Sequence, residues 1–370
     1  MLAKLVVKNF RNFENWFEID LKSDRSYEFS KHAVQNEIVK HGVIYGINGE
    51  GKSNLGLAII DVTSHLTDNN LQAGLSSNYL NANSKDKLAE FKYQFDFDGI
   101  EVLYSYGKEK CTTTVYEKLI IDGIEVVNFD RRVSSIADFN LPGSETLKND
   151  FEGKDISPVK YIKSNALLDD HVINNAFDTF MTFVDGMVFF RTLSKLQEFY
   201  GQPTGKQRVS QTIIEQGKLK DFETFLNDSG VACKLKQSGA ENEEIIEFDF
   251  GERSIEFSQA ASTGTISLGN FYYWYLKLTS GEISFAYIDE FDAYYHFNLS
   301  QHIVERIAKT SCQSLMTTHN STLMSNNILR PDCYFVLAKQ KLNPLYNLTD
   351  REIRKAHNLE KMYRSGAFDE

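Results

Sequence analysis

The alternation of apolar and polar positions divides the chain into stretches of different period. Residues 2–21 step by two, with Leu5 and Val7, then Phe13, Phe17, Ile19 and Leu21 on one side, and Asn9-Phe10-Arg11-Asn12 reads as a turn between two runs. A hairpin is expected there. After a less patterned polar segment at 24–40, the apolar run Val43-Ile44-Tyr45 meets Gly46, and beyond it Leu55, Ala58, Ile59, Val62 and Leu66 share one face of a helix. Residues 67–87, rich in Asn, Ser and Asp, predict a loop. Strand periodicity returns over 88–127, where Asp98-Gly99 and Asp122-Gly123 signal tight antiparallel turns. Residues 131–158 are polar and irregular. From Ala166 to Phe225 the spacing turns helical, through Phe177, Phe180, Met181 and Val184 and later Ile213, Leu219, Phe222 and Phe225, with a break at Gly201-Gln202-Pro203-Thr204-Gly205. Two strands at 245–250 and 254–257, a helix running through Tyr272, Trp274 and Leu278, an apolar run from Ile283 to Ile288 and a short one at Ser314-Leu315-Met316 complete the pattern.

Between the first apolar run and the first helix lies Gly46-Ile47-Asn48-Gly49-Glu50-Gly51-Lys52-Ser53, which fits the phosphate-loop pattern G-x-x-x-x-G-K-[ST]. Glycines at 46, 49 and 51 let the backbone turn its N–H groups inward toward phosphate oxygens, and the helix opening near Lys52 adds its positive dipole end. Lys52 is expected on the β- and γ-phosphates and the Ser53 hydroxyl on Mg²⁺, with Asn48 and Asn54 in the nucleotide-binding set. The bland alternative is a Gly-rich strand-to-helix turn with an exposed lysine.

Composition changes this picture little. The chain of 370 residues, 42% hydrophobic, is long enough for a substantial core in one large domain or two. A formal net charge of −11 argues against nonspecific nucleic-acid binding by the whole surface, while a local basic groove stays compatible with it. Cys111, Cys233, Cys312 and Cys333 are far apart, without metal-site spacing, as expected of thiols in a reducing cytoplasm. No apolar run reaches 18 residues, so a soluble cytoplasmic protein without a membrane contact is expected. Acids near the end, Asp350, Glu352, Glu360, Asp369 and Glu370, alternate with bases and read as a solvated face, and no nuclease module is visible.

A phosphate loop needs a carboxylate for its metal, and Asp289 at the end of an apolar run is where one is expected. Glu290, one residue on, points elsewhere and suits a general base for the attacking water. With these residues in view the chain resembles the ABC-type ATPase heads of the SMC and Rad50 class, and more closely the compact bacterial AAA15-like ATP-binding proteins. The order of parts is similar: phosphate loop, long insertion, a signature at Ser262-Thr263-Gly264-Thr265, the Walker B run at Asp289-Glu290-Phe291-Asp292 followed by His296, and a switch histidine at His319 within Thr-Thr-His-Asn. The opening turn at Asn9–Phe13 and the closing segment Ile353–Phe368 are similar as well. Ala261 departs from the larger residue usual before the signature, and Gln94 is only a candidate for the Q-loop glutamine.

The resemblance implies an α/β fold, an ABC-ATPase head with a phosphate-loop core sheet, a flanking antiparallel β-subdomain and a mainly helical insertion. It divides the chain at 1–127, 128–243 and 244–370. It further implies a homodimer sandwiching two Mg–ATP, with Ser262 and Gly264 of one protomer facing the γ-phosphate of the other, metal on Ser53 and Asp289, and Glu290 and His319 in catalysis. Two bland readings stay open: Ser262 as an ordinary helix N-cap, and His319 as a strand-end histidine satisfied by Thr317 or Thr318. The expected role is the sensor or scaffold of a phage-defence, abortive-infection system with a phage-encoded trigger and a separate effector such as a nuclease. The alternative is a DNA-repair or recombination ATPase of the SMC, RecF or Rad50 kind, disfavoured by the acidic charge and the lack of sustained heptads in the insertion. A transporter ATPase is disfavoured by the terminal patterns.

Overall fold

The computed structural model describes residues 1–69, 78–191, 199–201, 209–240, 244–295 and 297–368. Two seven-stranded sheets face each other across one helix. The central sheet has five parallel strands in the order Met187–Arg191, Phe285–Asp289, Gln313–Thr317, His41–Tyr45 and Tyr334–Ala338, edged by the antiparallel Phe199–Tyr200 and Lys341–Pro344. Strands buried on both faces need continuous apolar runs rather than alternation, and the strands ending at Asp289, Thr317 and Tyr45 are buried at every position. The second sheet is wholly antiparallel and contains the opening hairpin of Leu2–Lys8 with Phe17–Asp20. Its Asp98-Gly99 and Asp122-Gly123 turns have positive φ at both residues, the conformation that a two-residue turn needs to match strand twist.

The helix Lys52–Leu66 lies between the sheets. One apolar face is expected of it, yet twelve of its fifteen residues are buried, because it has a sheet on each side. Gly56 marks the closest approach: a Cβ there would come 2.4 Å from the Tyr287 ring and 2.7 Å from that of Phe189. On the opposite side the Tyr93 hydroxyl donates to the Ala58 carbonyl at 2.7 Å. Asp61 accepts from Tyr79 at 3.0 Å, Tyr106 at 2.7 Å and the buried Lys108 ammonium at 2.9 Å. The antiparallel sheet is thus bolted to the phosphate-loop helix by polar as well as apolar contacts.

Strands run or pair across the expected boundaries at 127 and 243. Residues 128–243 do hold the helices Pro158–Asn165, Val172–Asp185, Val209–Glu215 and Leu219–Asp228. Between them, however, Met187–Arg191 enters the central sheet parallel to Phe285–Asp289, with Arg191 opposite Asp289. Its four apolar residues satisfy a two-sided strand, a pattern that merges with the helical stripe before it. The strand Ile124–Asp130 crosses the first boundary, and Leu235–Ser238 pairs with Ile245–Asp249 across the second. Of the expected break at 201–205, only Gly201 lies within the described residues.

Candidate nucleotide site

The phosphate loop joins the strand His41–Tyr45 to the helix Lys52–Leu66 at the carboxyl edge of the parallel sheet, where ligands of open α/β sheets bind. Gly51 is the helix N-cap with φ 106°, and a Cβ on it would fall 2.2 Å from the Asn12 amide nitrogen. A side chain at position 51 is therefore excluded both by conformation and by space. Asn12, from the opening turn, donates to the Glu50 carbonyl and accepts from Asn54 at 2.8 Å. Asn54 thus faces the loop's outer support, whereas Asn48 lines the cavity beside it. That cavity, of about 450 Å³, is also lined by Glu290, Asp292, Tyr295, His319 and Asn320.

Lys52 curls back over its own loop, donating to the carbonyls of Gly46 at 2.7 Å and Ile47 at 3.2 Å. Its ammonium also lies 3.2 Å from His319 Nε2. An ammonium has only hydrogens to offer, so His319 Nε2 is the bare nitrogen of a neutral ring. Burial, and then the Lys52 charge, push the His319 pKa below its usual range, in agreement with that tautomer. Burial lowers Lys52 as well, against the opposing pull of Asp289 and Glu290.

Asp289, fully buried, is held from three directions. Ser53 Oγ donates to its Oδ2 at 2.6 Å, Arg191 Nε to the same oxygen at 2.8 Å, and Thr317 Oγ1 to Oδ1 at 2.7 Å. Glu290 follows with φ 50°, a left-handed backbone that costs a non-glycine residue on the order of 1–3 kcal/mol. Its N–H donates to Thr317 Oγ1 at 2.7 Å. Burial and the neighbouring Asp289 raise the Glu290 pKa, the direction that makes a carboxylate a better proton acceptor. Thr318 donates to both oxygens of Asp292, at 2.7 and 2.8 Å. Both threonine hydroxyls therefore serve the Walker B acids, and His319 packs on Lys52 instead.

The donor set fits Mg²⁺. Ser53 and Asp289 bring hard oxygens to one point, and Mg²⁺ usually takes one or two protein oxygens, completing its shell with phosphates and water. Among the described residues no group of three His, Cys, Asp or Glu side chains could hold a metal by protein ligands alone.

Ser262 and Gly264 are not among the residues lining this cavity. Ser262 caps the helix Thr263–Thr279, its Oγ accepting from the Thr265 N–H at 3.2 Å, so the N-cap geometry is present. Gly264 has room for a side chain within the protomer, its nearest neighbour being the Tyr294 carbonyl at 3.5 Å. The Q-loop expectation fails at Gln94, whose side chain bonds Glu101 on the exposed face of the antiparallel sheet, directed oppositely to Tyr93 and the helix. His296 lies outside the described residues, as do Asp369 and Glu370. Glu352 and Glu360 pair with Arg354 and Arg364 at the surface. The sequence patterns give no sign of Arg191 at this site, nor of the bonds that Thr317 and Asn12 make there.

The family model described as "AAA domain, putative AbiEii toxin, Type IV TA system" matches residues 43–325, from the phosphate-loop strand to just beyond His319. The chain belongs to that family. No curated protein matches it. Among solved structures, it is similar to an SMC head bound to the C-terminal winged-helix domain of ScpA, at 17% identity over 92% of this chain and 96% of that one, with a TM-score of 0.48. The SMC head domain from Thermotoga maritima gives 15% identity, coverage of 93% and 98%, and a TM-score of 0.45. An SMC head with an extended coiled coil, bound to the C-terminal domain of ScpA from Pyrococcus furiosus, gives 13%, 92% and 94%, and 0.46. The chain is a mixed α/β protein, and among its described residues no helix is long and apolar enough to cross a membrane.

Proposed function

We propose that the chain is an ABC-type ATPase that closes as a homodimer around Mg–ATP and serves as the sensor or scaffold of a phage-defence system with a separate effector. The observation that carries the ATPase reading is the convergence of Ser53, Arg191 and Thr317 on the Asp289 carboxylate, with Lys52 and His319 alongside and Glu290 opening to the same cavity. Bound Mg²⁺ would be held by Ser53 and Asp289 and would polarise the terminal phosphates. The loop N–H groups and Lys52 hold those phosphates, Lys52 exchanging its loop carbonyls for phosphate oxygens. Glu290 then takes the proton from water at the γ-phosphate, and the neutral His319, released from Lys52, donates through its other nitrogen. The exposed Ser262 and the room at Gly264 support a phosphate contact made across a dimer interface. The family description, which names a putative AbiEii toxin and a Type IV TA system, supports a defence role.

Glu290→Gln keeps the shape of the site and removes its proton acceptor, so hydrolysis should fall about 10²–10⁴-fold while ATP still binds. The variant should accumulate as an ATP-bound dimer in light scattering, and adding Ser262→Arg should return it to monomer. Normal turnover in Glu290→Gln refutes the base assignment. ATP-independent association together with a silent Ser262→Arg refutes the shared site. The effector reading is tested by incubating the purified chain and ATP with DNA and RNA; cleavage without a second protein would overturn it.

A further inference from the structure

Arg191 ends the strand beside Phe285–Asp289, in direct register with Asp289. Its Nε donates at 2.8 Å to Asp289 Oδ2, the oxygen that also accepts from Ser53. Asp289 is fully buried, while the arginine side chain keeps 27% exposure and so has a route outward. A buried carboxylate without a cation carries a large desolvation cost, and here the guanidinium supplies the charge. Mg²⁺ drawn to Ser53 and Asp289 would meet that same oxygen. The two cations repel each other at that shared oxygen and so compete for it.

Resting on the Mg–ATP reading above, we infer that Arg191 is a positioning residue that holds the metal-side oxygen of Asp289 and competes with Mg²⁺ for it. The exchange sets how much Mg²⁺ is needed before nucleotide is held. Donating to the oxygen that also accepts from Ser53, Arg191 sets the orientation of the Asp289 carboxylate toward Ser53.

The test is the Mg²⁺ dependence of binding, with a fluorescent ATP analogue on the full chain, titrated from EDTA to millimolar Mg²⁺. Arg191→Gln should lower the half-saturating Mg²⁺ at least about fivefold while leaving affinity in EDTA within about twofold. Arg191→Lys, which keeps the charge but offers a single-point, strongly hydrated contact, should lower it about twofold. An unchanged or raised midpoint in Arg191→Gln overturns the inference. Should that variant fail to fold by circular dichroism, an unchanged midpoint in Arg191→Lys overturns it equally. Lys52→Ala, run in parallel, separates the two readings. Wild-type binding by Lys52→Ala sinks the phosphate-loop assignment itself, whereas loss of binding there with an unmoved midpoint in Arg191→Gln removes only the role of Arg191.

Discussion

Tyr287 of the Walker B strand packs its ring on Gly56 of the phosphate-loop helix and donates its hydroxyl to the Lys52 carbonyl at 2.6 Å. The strand that ends at Asp289 is thereby fixed to the helix that begins at Lys52, and the two halves of the site keep one spacing. Gly56→Ala would gain about 1 kcal/mol of helix propensity. Against that gain, a methyl 2.4 Å from a fully buried ring forces overpacking worth about 1–3 kcal/mol, with Phe189 closing the way out. The expected result in denaturant unfolding is a net loss of stability. A variant more stable than the wild type would contradict this packing account.

A second prediction concerns the bolt between helix and antiparallel sheet. Lys108→Met leaves the buried Asp61 side chain with only the Tyr79 and Tyr106 hydroxyls. Breaking a buried pair on one side typically costs about 3–5 kcal/mol. Equilibrium unfolding should show that loss, and a change below about 1 kcal/mol would mean that the two hydroxyls suffice.

Much of this architecture is legible in the sequence where the chemistry is contiguous. The eight residues Gly46–Ser53 form a contiguous pattern, and Asp289-Glu290 and His319 are marked by their positions after apolar runs. The hairpin turns are legible for the same reason, since Asp-Gly states its own backbone. What escapes is set by tertiary contact. Met187–Arg191 is a short apolar run adjoining a helical stripe, ambiguous by period, and Arg191 finds its partner 98 positions away. Thr317 and Asn12 act through hydrogen bonds to residues far off in the chain, which leave no spacing signature. The left-handed backbone at Glu290 is likewise invisible, because no glycine announces it.

The third prediction is a pH dependence of stability. Glu117 is fully buried, and desolvation raises its pKa from 4.5 to about 7, partly offset by hydrogen bonds from Ser157 and Tyr104, each 2.7 Å long. His65 nearby is pushed well below its usual range by burial, so their 3.8 Å approach is not an ion pair near neutrality. The folded state keeps its Glu117 proton to higher pH than the unfolded state does. Stability from this group is therefore intact below about pH 4.5 and falls as pH rises through 7, by on the order of 3 kcal/mol. Glu117→Gln, whose amide oxygen accepts the same two bonds, should gain relative to wild type between pH 5 and pH 7.5. Parallel stability curves over that range would refute a protonated Glu117.

The last prediction isolates Thr317. Its hydroxyl hydrogen goes to Asp289 and its lone pair receives the Glu290 N–H, so one atom fixes the orientation of the metal-side acid and the strained turn of the proposed base. Thr317→Val preserves shape and burial but removes both bonds, leaving the Glu290 N–H unsatisfied at a cost of about 1–3 kcal/mol. The left-handed backbone at Glu290 loses the contact that opposes its strain, and relaxation moves the carboxylate away from the water position. Misplacement of a catalytic group by about 1 Å costs on the order of 10²-fold in rate. In the proposed mechanism the loop N–H groups and Lys52 carry most of the nucleotide affinity, and Ser53 and Arg191 still hold Asp289 for the metal. The expected outcome is a fall in kcat of about 10–100-fold with ATP affinity within a few-fold of wild type, and recovery of most activity in Thr317→Ser, which restores the hydroxyl. A fall in affinity equal to the fall in kcat would point to collapse of the whole site, and full activity in Thr317→Val would show that Asp289 and Glu290 hold their positions without it.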